Sequence, residues 1–396
     1  MKKKLIPAAI MGTLTATLLA CAPTGTNKDK PVIFYNRQPS QNNVVNKDVM
    51  NHTANTYYAG FDAVGGGTTQ GQMIVDYIKA HAAEMDRNGD GTIGYVLAIG
   101  QNSHNDSAAR TIGVRKALGT GETAVDTTST KKGSITVGEK TYQIEELAAK
   151  EMRDEAGPWS STNAGNTMDT WINQFGDRID LVVSNNDGMA EGMISKYGTG
   201  VVIPTFGYDA NMTTLELIKK GGSMKGTISQ NHHAQVLTCL QLVRNMIDGL
   251  TGEEVYTSGF TKADKWGNQI KSANVAWNAD DRSMLAENGI ITKDNVEAAI
   301  ADTLDAGITK TATGDPIKVL WTVYSSTDNF LNQSFIPTLK KYAPYYNVDL
   351  SKIVYGDGTQ ESSITNNFTG LENYDAYVIN MVETTSGPIY QELLDA

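Results

Sequence analysis

The chain has 396 residues, enough for two domains of ordinary size. Its 44 acidic residues outnumber its 33 basic ones and give a formal net charge of −11, which argues against nucleic acid as a partner. The two cysteines, Cys21 and Cys239, are too few for a disulfide framework, so packing must stabilise the fold.

The N-terminal segment predicts export from the cytoplasm and attachment to a membrane. Three lysines at residues 2–4 precede an apolar stretch at residues 5–19, which is too short for a membrane span and typical of a signal peptide. Leu-Leu-Ala-Cys at residues 18–21 resembles a bacterial lipobox, in which the cysteine is lipidated; the alternative is an ordinary secretory signal with a chance cysteine. We therefore expect a signal peptide at residues 1–20, a small polar tether at residues 21–30 and a membrane attachment only through lipid on Cys21.

Short β-rich runs alternate with helical patterns along the rest of the chain. The predicted strands cover residues 32–35, 95–99, 181–184, 201–206, 319–324, 353–355 and 377–380. The predicted helices cover residues 68–81, 166–174, 189–196, 213–220 and 233–248, the last with Cys239 as a buried thiol. Because the strands lack in/out alternation, they suit parallel sheets covered on both faces, and the fold class is α/β with two such sheets. Polar residues just after the strand ends predict a cleft there.

Residues 86–92 read Asp-Arg-Asn-Gly-Asp-Gly-Thr, which matches the first half of an EF-hand loop. Position twelve of the loop is Leu97, so the bidentate carboxylate is missing locally. A strand pattern follows where an EF-hand has a helix. The sequence excludes a true EF-hand and leaves two readings, a metal site completed by a remote residue or a metal-free turn.

Four stretches resemble the bacterial galactose/glucose-binding proteins. They are Pro-Val-Ile-Phe-Tyr-Asn-Arg-Gln-Pro-Ser at residues 31–40, Gln-Asn-Ser-His-Asn-Asp-Ser-Ala-Ala-Arg at 101–110, Val-Ser-Asn-Asn-Asp at 183–187 and Pro-Thr-Phe-Gly-Tyr-Asp at 204–209. The stretches occur in the order of that family and at similar spacings. The resemblance implies the type I periplasmic-binding-protein fold, in which two Rossmann-like α/β lobes enclose a sugar.

The order of the segments departs from the family once. The chain begins at what resembles the family's fourth strand, whereas residues 318–330 resemble its first strand and residues 375–383 its third. We therefore predict a circular permutation; the alternative is a truncated receptor fused to an unrelated C-terminal domain. The predicted division is lobe 1 at residues 31–53, 230–262 and 316–396, lobe 2 at residues 54–229 and 263–287, and a connector at residues 288–315.

The resemblance implies a sugar site at ten positions. They are Asn36, His104, Asp106, Arg110, Trp159, Asn186, Asp209, Gln230, Asp328 and Phe330. The residue types suit a hexose, because Asp, Asn and Arg supply matched acceptors and donors and aromatic rings cover the apolar sugar faces. Some of these residues also have a purely structural interpretation. Trp159 could anchor a loop, and His104 could be a surface histidine with its hydrogen bonds made. Asn186 or Asp187 could cap the next helix, and Asp187 is the expected cap. Gln230 stands where the family has Asn.

The resemblance also completes the metal loop. It implies a structural calcium ion held by Asp86, Asn88, Asp90, Thr92 and the remote Asp180, which is shorter than the family's Glu. Gly94 replaces a side-chain ligand of the family, so we expect weaker affinity than in a fully liganded loop.

The function implied is a lipid-anchored periplasmic receptor, and not an enzyme. It would bind D-glucose or D-galactose and deliver the sugar to an ABC-type permease, with a chemoreceptor as a further partner and a monomer as the expected state. Two alternatives are a surface glycoside hydrolase that uses two of Asp106, Asp209 and Asp328, and a sensor that reports sugar without transport. Residues 65–67, three glycines, are no phosphate loop because no Lys-Ser/Thr follows them.

Overall fold

The computed structural model describes residues 27–41, 44–102, 104–155, 157–271, 274–301, 305–326, 328–350, 352–360, 368 and 370–395. The predicted signal peptide and Cys21 lie outside these residues. Asn27–Asp29, at the end of the segment predicted to be a tether, forms a 3-10 turn. No helix in the described ranges combines the length and the apolar character that a bilayer crossing requires.

The strands of the described residues follow one another from the N-terminus as follows. They are β1 Val32–Tyr35, β2 Ser40–Gln41, β3 Val44–Val45, β4 Thr56–Phe61, β5 Thr92–Ile99, β6 Gly133–Val137, β7 Lys140–Glu151, β8 Leu181–Ser184, β9 Thr205–Phe206, β10 Met224–Ser229, β11 Val275–Asn278, β12 Ser283–Ala286, β13 Gly289–Thr292, β14 Ile317–Val323, β15 Val348–Asp349, β16 Ile353–Tyr355 and β17 Ala376–Ile379. Each predicted strand is present, but the strand predicted at residues 201–206 is reduced to β9.

The α-helices of the described residues cover both faces of the sheets. They are α1 Lys47–Met50, α2 Ala63–Met85, α3 Asn105–Leu118, α4 Ser161–Phe175, α5 Asp187–Ile194, α6 Met212–Lys220, α7 His232–Ile247, α8 Glu253–Thr257, α9 Val296–Ala301, α10 Ile336–Tyr342 and α11 Gly387–Asp395. Short 3-10 or π turns lie at Gly176–Arg178, Leu331–Phe335, Ala343–Tyr346, Leu371–Asn373 and Thr384–Ser386. Cys239 on α7 is fully buried, as predicted, in the core of lobe 1.

Two mostly parallel sheets confirm the predicted fold class. The sheet of lobe 1 runs β11-β12-β4-β1-β17-β14-β15, with β16 also paired to β14. The sheet of lobe 2 runs β13-β10-β9-β8-β5-β7-β6. Among the described strands of these two sheets, the antiparallel pairs lie at the edges and are β11 with β12, β13 with β10 and β6 with β7. The strands β2 and β3 form a separate antiparallel pair. Parallel strands put their carboxyl ends at one edge of each sheet, which is where a ligand cleft is expected.

The predicted lobe boundaries are wrong in three places. The strand β4, predicted for lobe 2, pairs in parallel with β1 of lobe 1. The strands β11 and β12, also predicted for lobe 2, extend the same sheet. The predicted connector is integral to the fold, because β13 pairs with β10 and α9 shares an apolar cluster with α6 of lobe 2. These assignments depend on pairing between segments far apart in the chain, which local pattern does not reveal.

The C-terminal segment completes lobe 1. The strand β17 lies between β1 and β14 and pairs in parallel with both. Trp321 of β14 and Ile33 of β1 share one apolar core, into which Ala306 and Ile308 of the predicted connector also pack. The segment after residue 316 therefore contributes strands to the sheet and side chains to the core of lobe 1.

Three crossings between the lobes lie side by side. They connect β4 to α2, β10 to α7 and β12 to β13. The Asn288 side chain joins the crossing before β13 to the crossing after β4, because its Nδ2 donates to Asp62 O over 2.7 Å. Asn231, in the crossing after β10, donates from its Nδ2 to Glu287 O over 3.3 Å. Adjacent crossings of this kind form a hinge about which two lobes close.

Helix starts in lobe 2 bring polar residues to the cleft. The side chains of Asp62, His104, Ser160 and Asn186 each accept a main-chain N–H in the first turn of α2, α3, α4 and α5. Helices α2 and α3 pack closely, and a Cβ on Gly67 would lie 2.2 Å from Ala109 O. This close approach is the reason for glycine at residue 67, and it fixes the helix that carries His104, Asp106 and Arg110.

Candidate functional site

The ten predicted sugar residues follow strand ends or begin the next helices. Asn36 follows β1, the group His104, Asp106 and Arg110 follows β5, and Trp159 follows β7. The others follow β8, β9, β10 and β14; they are Asn186, Asp209, Gln230, Asp328 and Phe330. Since these strands belong to both sheets, the residues converge on the cleft from both lobes.

The centre of the lobe 2 wall is Arg110, which is 3% exposed. Its Nη1 donates to Asn185 O over 2.7 Å and lies 3.5 Å from Asp209 Oδ1, and its guanidinium stacks 3.7 Å from the centre of the Tyr208 ring. Gln230 Nε2 also donates to Asp209 Oδ1. The buried carboxylate of Asp209 thus has an ion pair with Arg110 and a hydrogen bond from the Gln230 amide.

Three titratable groups of this wall have shifted pKa values. Burial raises the pKa of Asp209 to about 7, against the opposing effects of Arg110 and of the hydrogen bond from Gln230. Burial also raises the pKa of Asp106, while Arg110 and Arg37 oppose the rise. Burial and the charges of Arg37 and Arg110 lower the pKa of His104 well below its usual range, so this imidazole is neutral and can donate and accept.

Trp159 is held by its backbone and by a glycine. Its N–H donates to Gly100 O over 3.2 Å, and its ring covers Gly100 so closely that a Cβ there would lie 2.1 Å from Cζ3. The ring meets the His104 imidazole edge to face, with centroids 5.4 Å apart. The aromatic ring therefore lies at the wall that carries Arg110 and His104.

Three of the predicted residues have left-handed backbones. The φ angles are 60° at Asn36, 64° at Trp159 and 116° at Asp209. A non-glycine residue in this region costs roughly 1–3 kcal/mol, and such strain clusters at functional sites.

The helix cap at β8 differs from expectation. Asn186, and not Asp187, caps α5, since its Oδ1 accepts the N–H of Met189 over 2.9 Å. Asp187 lies inside the helix, where it accepts from Thr227 Oγ1 at 2.7 Å and Asn211 N at 2.8 Å. The prediction that Asp187 caps is wrong because the buried partners across the sheet engage its carboxylate.

Lobe 1 supplies Asn36, Asp328 and Phe330. Asp328 accepts from the Tyr324 hydroxyl at 2.6 Å and from Leu331 N at 2.7 Å. Asn36 lies beside Asn380, whose Nδ2 is 3.4 Å from Asn36 Oδ1. Phe330 is 5% exposed and packs near Phe335, so the core covers much of its ring, and its stacking on sugar stays a prediction.

The two lobes touch across the cleft. Asn105 Nδ2 of lobe 2 donates to Ser40 Oγ of lobe 1. A Cβ on Gly188 of α5 would lie 3.6 Å from Asn329 Nδ2 of lobe 1. Asp328 also contributes to the raised pKa of Asp209, which puts the two carboxylates in electrostatic range of each other. These contacts join the two lobes across the cleft.

Several buried polar atoms beside Asp209 and Arg110 have no hydrogen-bond partner within the described ranges. They are Arg110 Nε, Asn185 Nδ2 and Gln230 Oε1. Two of the atoms are donors and one is an acceptor. Leaving such groups unpaired costs roughly 1–3 kcal/mol each, so a ligand that both donates and accepts would stabilise this wall.

Four cleft residues are missing from the sequence prediction. Asn185 accepts from Gly100 N, Ser107 Oγ and Thr111 Oγ1 and so joins β5, α3 and β8. Tyr208 stacks on Arg110, and Arg37 stacks 4.0 Å from the Tyr324 ring. Each of the four is adjacent in sequence to a predicted residue or near one, and this adjacency was the available signal.

The loop at residues 86–92, which the sequence predicts to bind a metal, presents carboxylate and amide oxygens. Asp86 Oδ1 is buried with no hydrogen-bond partner in the described part of the chain, and Asn88 Nδ2 donates to Asp90 Oδ2 over 2.9 Å. Asp180 closes the loop, because its carboxylate accepts from Arg87 N at 3.1 Å and from Gly94 N at 2.9 Å. The described residues contain no cluster of three or more His, Cys, Asp or Glu suited to a metal, so any ion here would depend on amide, main-chain and water oxygens as well.

Comparison with known proteins identifies the family. A family profile described as periplasmic binding protein domain matches residues 23–251, more than half of the chain, and a second profile of the same description matches residues 317–387. The chain belongs to the periplasmic binding protein family. That description is of binding proteins and names no enzyme activity.

Individual relatives of this periplasmic binding protein share less than a third of its residues. The D-galactose/methyl-galactoside binding periplasmic protein MglB of Haemophilus influenzae is 28% identical over 279 residues, which are 68% of this chain and 71% of the relative. An ABC transporter periplasmic solute binding protein of Actinobacillus succinogenes with bound D-allose is 15% identical, with a TM-score of 0.44 over 68% of this chain and 71% of that one. A solute binding protein of Bacillus halodurans with bound myo-inositol is 16% identical, with a TM-score of 0.44 over 68% of this chain and 69% of that one.

Proposed function

We propose that the chain captures D-glucose or D-galactose between its lobes and delivers the sugar to an ABC-type permease. The observation that carries the proposal is the buried group formed by Asp209, Arg110 and Gln230. Asp209 accepts a hydrogen bond from Gln230 and forms an ion pair with Arg110, while Arg110 Nε and Gln230 Oε1 keep unused hydrogen-bonding capacity within the described residues. Sugar hydroxyls both donate and accept, so a hexose supplies the partners that these atoms lack.

Calorimetric titration of the full chain with D-glucose, D-galactose and a pentose tests the proposal. Tight one-to-one binding of a hexose is the expected result, and the ratio of the two affinities would name the preferred sugar. No heat from any of these sugars would mean that the cleft serves another ligand and would overturn the proposal.

The proposed role is binding without turnover. The carboxylates near the cleft are engaged by donors: Asp209 by Arg110 and Gln230, and Asp328 by Tyr324 and Leu331. Release of nitrophenol from a nitrophenyl hexoside would instead favour a glycoside hydrolase.

The lipid on Cys21 also belongs to this proposal, and a Cys21→Ala chain should leave the membrane fraction. A chemoreceptor partner and a monomeric state stay predictions.

Replacement of Trp159 by Ala is expected to weaken hexose binding by at least about 1 kcal/mol, roughly fivefold, because the ring loses both stacking and burial. Titration calorimetry measures the loss. The matched control is Trp277→Ala, since Trp277 stacks on Tyr256 with centroids 4.2 Å apart in lobe 1. That variant should lose stability and keep its sugar affinity. Unchanged affinity in the Trp159 variant would remove this ring from the site.

We also propose a structural calcium ion in the loop at residues 86–92. Asp86, Asn88, Asp90 and Asp180, with the main-chain oxygen of Thr92, would hold it, and the buried, unpartnered Asp86 Oδ1 supports the assignment among the described residues. The ion would neutralise carboxylates that now face each other. The charge of Asp86 contributes, after burial, to a pKa of Asp180 raised to about 6.

Millimolar calcium is expected to raise the melting temperature by roughly 2–6 °C, because an ion that binds only the folded chain stabilises it. Magnesium should give a smaller shift, since it demands a tighter octahedral site. Differential scanning calorimetry measures both shifts, and the Asp86→Ala variant is the control that should lose them. If millimolar calcium does not change the melting temperature, the proposed calcium site is rejected.

We propose that the order of segments arose by circular permutation. Two observations support this: β14 and β17 of the C-terminal segment share a sheet with β1, and the family is matched in two separate pieces. If so, deletion of residues 317–395 should abolish cooperative folding. A deletion variant that still folded would favour the fused-domain alternative.

A further inference from the structure

The cleft edge of lobe 1 carries a cation outside the ten predicted positions. Arg37 follows Asn36 at the carboxyl end of β1 and is only 8% exposed. Its guanidinium carbon lies 4.0 Å from the centre of the Tyr324 ring, and its Nη1 donates to Val382 O beyond the end of β17. The guanidinium therefore joins the ends of three neighbouring strands, β1, β14 and β17.

Tyr324 connects this cation to a predicted sugar acceptor. Its hydroxyl donates to Asp328 Oδ2 over 2.6 Å, and its main-chain N–H donates to Asn380 Oδ1 over 3.1 Å. The other oxygen of Asp328 accepts from Leu331 N over 2.7 Å. Among the described residues each carboxylate oxygen thus has one donor, so rotation of the group would break at least one bond. Each oxygen also keeps a lone pair for a ligand hydroxyl.

The charge of Arg37 also reaches lobe 2. After burial, it is the first contribution that lowers the pKa of His104, ahead of Arg110, and it opposes the rise in the pKa of Asp106. The charged groups that act on His104 are therefore Arg37 from lobe 1 and Arg110 from α3, and the main-chain N–H of Asp106 donates to His104 Nδ1 over 3.2 Å. The pKa of His104, on the opposite wall of the cleft, therefore reports the position of the Arg37 charge even without a ligand.

We propose that Arg37 is a positioning residue of the sugar site. It holds the Tyr324 ring by stacking on it, and through the tyrosine hydroxyl it keeps Asp328 in the orientation that accepts a sugar hydroxyl. The inference rests on the proposed sugar-binding function. It extends that function to a residue that would not touch the sugar.

A double-mutant cycle tests the connection. Full-length wild type, Arg37→Met, Asp328→Asn and the double variant are titrated with D-glucose and D-galactose. Loss of a desolvated cation–π contact predicts about a tenfold weaker affinity for Arg37→Met, and a further loss of less than about threefold when Asp328 is already Asn. Arg37→Lys keeps the charge over the ring and should recover part of the affinity. An unchanged affinity in Arg37→Met, or the same tenfold loss in both backgrounds, would overturn the proposal.

A ligand-free measurement separates this inference from the proposed function. NMR titration of His104 should show its pKa rising toward the usual value in Arg37→Met, and an unmoved pKa would contradict the placement of the cation. This readout tests the placement of Arg37 without any ligand. A wild type that binds no hexose would defeat the proposed function and the positioning role with it, whereas hexose binding that Arg37→Met leaves unchanged would defeat the positioning role alone. If Arg37→Met does not fold, Arg37→Lys and Tyr324→Phe replace it in the same cycle, with the same criterion of non-additivity.

The matched control is Arg282→Met. Arg282 stacks 4.7 Å from the Tyr57 ring and donates to Ala54 O and Thr56 O, so its contacts are of the same kind. It lies at the amino end of β4, since Thr56 pairs with Val32 at the start of β1. Its loss should lower the melting temperature and change neither the sugar affinity nor the pKa of His104. A control variant that weakened sugar binding as much as Arg37→Met would reduce the Arg37 effect to general destabilisation.

Discussion

Replacement of Asp209 by Asn should weaken hexose binding by about 2–3 kcal/mol, or roughly 30- to 150-fold, and at the same time stabilise the ligand-free protein at pH 8. The loss of affinity follows because a charged acceptor becomes a neutral amide, and one of its atoms becomes a donor that faces Arg110 and Gln230. The gain in stability follows from burial, because Asp209 is 5% exposed and its pKa is raised to about 7.

The sign of the pH dependence is fixed by the direction of this shift. A carboxyl whose folded pKa lies above its unfolded value contributes stability that is fully present below about pH 4 and is lost as the pH rises through about 7. Wild-type melting temperature should therefore fall between pH 5 and pH 8 by an amount that Asp209→Asn removes.

Thermal melts across this range and calorimetric titration measure the two effects. Asp305→Asn is the control, since Asp305 is a surface residue whose pKa is lowered by a main-chain hydrogen bond from Gly307 and by Lys271. It should leave sugar affinity unchanged. If Asp209→Asn binds hexose like the wild type, Asp209 is not in the site. A lower melting temperature for this variant at pH 8 would contradict the burial argument.

Replacement of Arg115 by Met should destabilise the protein by about 3–5 kcal/mol, because it leaves a buried carboxylate without its charged partner. Arg115 is fully buried and forms a two-pronged pair with Glu146, with Nε to Oε2 at 2.8 Å and Nη2 to Oε1 at 2.7 Å. Its remaining donors hold the loop after α3 through Thr123 O, Val125 O and Thr127 O.

Urea unfolding measures the loss, with Arg178→Met as the matched control. Arg178 lies 3.5 Å from Glu145 with its side chain 46% exposed, and such exposed pairs contribute only about 0–1 kcal/mol. The double variant Arg115→Met with Glu146→Gln should recover part of the stability, because the unpaired charge is gone, although the loop carbonyls still lack donors. Equal losses in the Arg115 and Arg178 variants would refute the role of the buried pair.

The elements with strong local patterns were predictable. The strands β1, β8 and β16 have the predicted bounds, since each is a short apolar run flanked by turn or polar residues. The long helix α2 starts five residues before its predicted start at residue 68, because the glycines at 65–67 lower local propensity while close packing against α3 compensates. The sequence prediction missed the strands β4, β6, β7 and β10–β13. The edge strands β11 and β13 are partly exposed and lack a continuous apolar run, whereas β4 is buried throughout but interrupts its apolar run with Ala59 and Gly60.

The candidate site shows a similar division. Residues such as Asp209 and Trp159 are recognisable from their motifs, because their chemistry and spacing are properties of the chain alone. Arg37 lies in the stretch at residues 31–40, next to Asn36, but its role is not readable from that stretch, because it depends on stacking on Tyr324, 287 positions later. Likewise, Asn186 caps α5 because the Asp187 carboxylate already accepts hydrogen bonds from Thr227 and Asn211.

The sequence by itself determined the α/β class, the acidic character, the strand ends that carry polar residues and the membership of a binding-protein family. Only the tertiary structure decided which sheet β4 and β11–β13 join, which carboxylates share donors, and where the charges of Arg37 and Arg110 act. The reason is physical. Local pattern depends on neighbours along the chain, whereas strand pairing, stacking and pKa shifts depend on distances between residues that are remote in sequence and are set only when the lobes pack.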